Sequence, residues 1–313
     1  MKYDSVLLVA FGGPTPGCCK KYETNSCPGE AYCFVEGIAG DADSQKERVR
    51  DISTHYVKLG GFSPFNELTY TQAKALQNTL EERNLPLPVY AGFRHWTPYL
   101  SEVIAEMAQK GHRDILGIIM APHQAKVSWD WYQNAVQKGI DALENTKITI
   151  DYLDPWYTHD GYVSAIADLI KTACGAKFEK ADLIFTAHSI PQSAADNSQY
   201  TQQFRETAEA TTEMLAKSDY TLAYQSEVEN SPIPWVQPDI NNLLETKNEQ
   251  GIDTVVVSPI GFLCDHVEVL YDLDIEAREI AEEHGIDFIR AQTVGDHPNF
   301  ISMLADFVCE KSK

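Results

Sequence analysis

Apolar residues are gathered along the chain in eight short runs. In the first half these are VLLVAF (6–11), VYAGF (89–93), ILGIIMA (115–121) and ITIDYL (148–153), and in the second half DLIFTA (182–187), TLAYQ (221–225), TVVVSPI (254–260) and DFIRA (287–291). Each run has strand length and is apolar almost throughout, which is the pattern of strands covered on both faces. Between them lie stretches with helical period, among them residues 98–109, 162–174, 200–216 and 266–283. Strands alternating with helices predict an α/β fold of two similar Rossmann-like domains, each a four-stranded parallel sheet flanked by helices. The turn-rich YLDPWYTHDG (152–161) suggests a boundary between a first domain at residues 1–150 and a second at 151–296. The C-terminal segment 297–313 carries one more helical pattern, expected to pack back on the first domain.

Open parallel sheets bind ligands beyond the carboxyl ends of their strands, so the residues just past each run matter most. VLLVAF is succeeded by Gly12-Gly13-Pro14, a tight turn that lets a ligand approach the backbone. ILGIIMA leads to Pro122 and His123, DLIFTA to His188, Ser189 and Pro191, and TVVVSPI to Gly261, Phe262, Asp265, His266 and Glu268. Histidines and a set of carboxylates are thereby expected to converge. A histidine at a strand end is often only a hydrogen-bonded structural residue, and His123 fits that description better than His188, which stands just past the buried run in a turn. Glu268, Asp272, Glu276 and Glu279 recur at helical intervals. Such a stripe is commonly a solvated face, but one that starts beside a histidine is also a track for a divalent cation.

Charge and composition exclude several function classes. With 46 acidic against 25 basic residues the net charge is −21, which repels a phosphate backbone or an anionic membrane surface, so nucleic acid is not an expected partner. No apolar run approaches the ~18 residues of a membrane span. The apolar start of the chain is short and reads as a strand rather than a secretion signal, so a cytoplasmic protein with no stable membrane insertion is expected, working as a monomer. There is neither a GxGxxG nor a GxxxxGK[ST] loop, and AHSIP lacks the surroundings of a GxSxG nucleophile, which argues against a nucleotide-binding enzyme and a serine hydrolase.

Several longer segments fall in an order that resembles the ferrochelatase family over nearly the whole chain: LLVAFGGP (7–14), GGFSPFNELT (60–69), YAGFRHWTPYLSEVIAEM (90–107), MAPHQAKVSWDWY (120–132), TAHSIP (186–191), YQSEVENSPIPWVQPDI (224–240) and PIGFLCDHVEVLYDLDIEA (259–277). The resemblance implies two Rossmann-like domains with a porphyrin cleft, and insertion of Fe²⁺ into a porphyrin in haem biosynthesis. It implies that His188 and Glu268 are the catalytic pair, that His188, Glu268, Asp272 and Glu276 handle the metal, and that Trp235 lies near the porphyrin. Phe11, Ser63 and His123 are further candidates for porphyrin contact, and Phe62, Phe65 and Trp129 for apolar walls. The chemistry suits these residue types, because a porphyrin carries two N–H protons that a base such as histidine must remove before iron can settle. Coproporphyrin III is the favoured substrate and protoporphyrin IX the next. A cobalt chelatase of related fold and a non-catalytic haem carrier are the rival readings, the second of which has no use for the acidic stripe.

One stretch departs from the family. Residues 17–40 hold four of the seven cysteines, Cys18, Cys19, Cys27 and Cys33, where relatives have a helical lip. These are candidate ligands of an iron–sulfur cluster or a zinc ion, with free thiols or a reversible disulfide as the alternatives.

Overall fold

The structure, a computed structural model, describes residues 1–17, 27–144, 146–228 and 231–313. All eight apolar runs form strands: β1 (Ser5–Ala10), β2 (Val89–Phe93), β3 (Asp114–Ile119), β4 (Thr149–Tyr152), β5 (Asp182–His188), β6 (Thr221–Gln225), β7 (Thr254–Ser258) and β8 (Asp287–Arg290). They make two four-stranded sheets, ordered β2-β1-β3-β4 and β6-β5-β7-β8. Every pairing is parallel. The expected fold class is therefore the observed one.

Burial follows sheet position. The inner strand β1 is buried at all six residues, whereas β4 at the sheet edge alternates between exposed and half-buried positions. The same holds in the second sheet, where β5 is buried from Leu183 to Ala187 and β8 at the edge is not. Helices of the expected length lie at Leu100–Gln109, Asp160–Cys174 and Tyr200–Met214.

The chain divides into two compact units, one of residues 1–120, 131–153 and 307–313, the other of residues 121–130 and 154–306. In the first unit Tyr3 donates a hydrogen bond to Asp151 and the Lys2 amide donates to the Ser312 carbonyl, so both ends of the chain are tied to one sheet. In the second unit Ile184, Leu244, Val255, Val257, Val269, Leu273 and Phe288 share one apolar cluster. Each aliphatic side chain so buried contributes about 1.5–3 kcal/mol. The cluster anchors the segment after β7 by Val269 and Leu273, leaving the residues between them to face elsewhere.

The segment after β7 departs from the single helix that its period suggests. It runs as a short α-helical turn (Val267–Leu270), a π-helical stretch (Asp272–Ala277) and a last α-helix (Arg278–Glu283). The Glu276 amide reaches back five residues to the Tyr271 carbonyl, 3.0 Å away. The wider turn changes which side chains share a face, so residues four apart are no longer stacked. Arg290 helps to hold this stretch: its guanidinium takes Asp265 in a two-pronged pair at 3.1 and 2.9 Å and Asp274 at 2.6 Å.

Candidate active site

In the second unit β5 delivers His188 at its last position, just beyond the buried run. The loop leaving β7 crosses the same strand end at Gly261, where a Cβ would lie 2.6 Å from the Ala187 Cβ. Only glycine permits this approach. The loop then turns into the helical start at Val267, with His266 as its cap: the His266 Nδ1 accepts the Glu268 amide at 3.2 Å. Glu268 is thereby brought to His188, with its Oε2 3.7 Å from the His188 Nε2 and about a third of each side chain exposed.

The backbone around His188 is fixed from three sides. Tyr200 donates its hydroxyl to the His188 carbonyl at 2.9 Å, the Ser189 amide donates to the Gln225 carbonyl at 2.8 Å, and the Ser189 hydroxyl donates to the Val236 carbonyl at 2.8 Å. Ser189 is buried and committed to this bond, which agrees with the sequence argument against a serine nucleophile. His188 Nδ1 donates to the Ser189 carbonyl. Because a carbonyl only accepts, Nδ1 carries a proton and Nε2 is the ring nitrogen left facing Glu268. An imidazole so held can accept a proton at Nε2, and the carboxylate beside it can stabilise the cation that results.

The other expected residues of this unit fall in different places. Asp272 is buried and accepts a hydrogen bond from the Ser226 hydroxyl, and burial holds its carboxyl well above the usual carboxylate range. Glu276 is half-buried on the π-helical stretch and Glu279 is exposed on the helix beyond it. Among the described residues no three histidine, cysteine or carboxylate side chains are gathered to hold a metal ion together. Trp235 is half-buried, pairs through its backbone with Pro191 two residues beyond Ser189, and donates its indole N–H to Ser231 at 3.0 Å. His123 is enclosed. Its Nε2 lies 3.0 Å from the Thr207 hydroxyl, which itself donates to backbone carbonyls, so Nε2 is the donor. Burial pushes its pKa down to about 3. Trp129 is likewise buried, its indole spent on the Ala121 carbonyl.

In the first unit the strand end of β1 carries Phe11, whose ring lies 4.5 Å from that of His95 and 6.2 Å from that of Phe34. Gly13 comes next but one, its amide bonded to Asn66 and its Cα against Ser63, where a Cβ would come within 2.6 Å. Ser63 is buried and Phe62 stands exposed beside it. In the cysteine-rich stretch, Cys18 and Cys19 lie outside the described residues. Cys27 and Cys33 have their sulfurs 3.9 Å apart, Cys33 being buried in the helix Glu30–Ala39.

Sequence comparison bears directly on this arrangement. A model of the Ferrochelatase family matches residues 3–312. The chain belongs to the ferrochelatase family. As a member it is an enzyme that inserts metal into a porphyrin, with iron as substrate, in haem biosynthesis. The coproporphyrin III ferrochelatase of Streptomyces griseus is 33% identical over 332 residues, spanning 99% of this chain and 86% of its own. A ferrochelatase of Rhodopirellula baltica is 31% identical over 313 residues with the same shares. Among solved structures, SirB from Bacillus subtilis has a TM-score of 0.55 at 14% identity, covering 77% of this chain and 88% of its own. CbiX, the terminal enzyme of siroheme biosynthesis in denitrifying bacteria, has a TM-score of 0.55 at 14% identity and covers 98% of both chains. At that identity these two bear on the fold alone. No helix among the described residues is long and apolar enough to cross a membrane.

Two groups beside the pair are given no role by the sequence. His266 caps the turn that carries Glu268, and its ring packs 4.8 Å from Phe262; burial lowers its proton affinity. Gln225 ends β6 in register with His188, and the same strand-end rule that singled out His188 would have flagged it.

Proposed function

We propose that the enzyme inserts Fe²⁺ into coproporphyrin III, with His188 as the base that takes the pyrrole protons and Glu268 as the carboxylate that stabilises the resulting imidazolium. The observation that carries this reading is the orientation of the His188 ring: Nδ1–H is committed to the Ser189 carbonyl and Nε2 is turned toward Glu268 at 3.7 Å. A base needs a ring nitrogen that is not spent on the backbone, and Nε2 is that nitrogen. Proton removal leaves the four ring nitrogens free to bind iron, and the half-buried Glu276 is proposed to draw an incoming cation toward the pair by its charge. Trp235, Phe11 and Ser63 are proposed to contact the porphyrin. His123, enclosed against Thr207, would act on it only through the segment it anchors. A cytoplasmic setting belongs to the same proposal.

The preference for coproporphyrin III is supported by the activity named for the Streptomyces griseus relative and for one of Mycobacteroides abscessus, 32% identical over 99% of this chain. The deciding experiment is anaerobic insertion of Fe²⁺ into coproporphyrin III and protoporphyrin IX in parallel, with Co²⁺ as a second metal. A higher kcat/KM for coproporphyrin III is expected, and a preference for protoporphyrin IX overturns the substrate. Metal analysis of the same anaerobic preparation addresses the proposed iron–sulfur or zinc site at Cys18, Cys19, Cys27 and Cys33, for which the close approach of the Cys27 and Cys33 sulfurs is the support. Iron or zinc retained by the wild type and lost when Cys27 and Cys33 are replaced by serine is the expected result.

A further inference from the structure

Gln225 is wholly buried, yet every polar atom of its side chain is used. Its Oε1 accepts the Thr186 hydroxyl at 2.9 Å on β5, and its Nε2 donates to the Glu268 carbonyl at 2.6 Å. Its own backbone carbonyl accepts the Ser189 amide at 2.8 Å, directly after His188. One residue on β6 therefore holds the chain at both members of the pair. We propose that Gln225 is the positioning residue that sets the separation and orientation of His188 and Glu268; this rests on the reading that the pair performs the proton transfer.

The need for such a tie comes from the helical segment. Glu268 sits in a four-residue α-helical turn that gives way to π-helix at Asp272, so no long ladder of helical hydrogen bonds fixes it. A bond from a neighbouring strand to its carbonyl supplies the missing constraint. The side chain in that place must accept from a hydroxyl and donate to a carbonyl at once. An amide does both, a neutral carboxylic acid does both, an ionised carboxylate only accepts and an alkyl chain does neither. The Thr186 hydroxyl also fixes which way round the amide lies, since it needs an acceptor and the Glu268 carbonyl needs a donor.

The experiment compares Gln225→Leu and Gln225→Glu with the wild type in anaerobic insertion of Fe²⁺ into coproporphyrin III. Gln225→Leu is expected to lower kcat by roughly 10- to 100-fold while the porphyrin KM stays within about threefold, the signature of a misplaced reacting group. Gln225→Glu is expected to keep wild-type kcat at low pH, where the new side chain is a neutral acid. It should lose kcat as pH rises and that acid ionises, a descending limb absent from the wild-type profile. Glu268, Asp272, His188 and Tyr200 are the ionisable groups around this site in both proteins, so the comparison is between the two profiles rather than with either alone. If Gln225→Leu does not fold, Gln225→Glu decides by itself. A Gln225→Glu profile parallel to the wild type, or a Gln225→Leu variant that raises the porphyrin KM at unchanged kcat, overturns the proposal. A wild-type enzyme that inserts no iron into coproporphyrin III or protoporphyrin IX would instead refute the functional reading beneath it.

Discussion

His188 Nε2 faces Glu268 Oε2 across 3.7 Å, a separation too long for a direct hydrogen bond and short enough for strong attraction once the imidazole is protonated. Loss of either group should therefore act on turnover more than on binding. His188→Ala is expected to lower kcat by roughly 10²- to 10⁴-fold, the span usual for a lost general base, with the porphyrin dissociation constant changed only severalfold. Glu268→Gln keeps the shape and removes the charge, so it should reduce kcat by a smaller factor than His188→Ala. Steady-state kinetics paired with fluorescence titration of the porphyrin separates the two quantities, and near-normal turnover in His188→Ala would sink the mechanism.

The acidic stripe should divide into members that meet iron and one that does not. Asp272 is buried and spent on the Ser226 hydroxyl, and burial raises its carboxyl well above the ordinary range, so Asp272→Asn should leave the Fe²⁺ dependence unaltered. Glu276 is half-buried and on the same stretch, and Glu276→Gln should raise the apparent KM for Fe²⁺ with little change for porphyrin. Repeating both at several salt concentrations distinguishes a local effect from the general field of a chain with net charge −21. An Asp272→Asn enzyme that needs more iron, beside a Glu276→Gln enzyme that does not, would reverse the assignment.

The contrast between these two carboxylates also marks what the sequence can reveal. The strands were legible because burial on both faces demands continuous apolar runs, and His188 because a polar residue directly after such a run must stand at a sheet's carboxyl end. Asp272 was not, because an interval of four reads as one face only if the helix is α throughout. The pairing of Arg290 with Asp265 and Asp274, which helps to hold this π-helical segment, joins residues distant in sequence. The role of Gln225 was hidden for a similar reason: nothing local shows that its amide spans Thr186 and Glu268. His123 carried a weaker strand-end signal than His188, and its bond to Thr207 belongs to packing that only the folded chain shows.

Two histidines, one buried and one half-buried, should make the fold sensitive to mild acid. Burial pushes both His95 and His123 from 6.5 down to about 3. The folded pKa is depressed, so their contribution to stability is fully present above pH 6.5 and is lost progressively as the pH falls toward 3, because the unfolded chain takes up protons that the folded one refuses. Each such group costs up to about 1.4 kcal/mol per pH unit within that window. For the enclosed His123 this amounts to about 2 kcal/mol on going from neutrality to about pH 5; His95 is half-buried and should contribute less. Asp272 acts in the opposite direction, its raised pKa favouring the folded state as pH falls from neutrality, but it does so equally with or without His123. The difference between wild type and His123→Gln therefore isolates the histidine, the amide being able to keep the donor to Thr207. Urea unfolding at neutral pH and near pH 5 should show the wild type losing more stability than His123→Gln by about 2 kcal/mol. Equal losses in the two proteins would mean that His123 takes up its proton in the folded state, and that the enclosure against Thr207 opens far more readily than its burial implies.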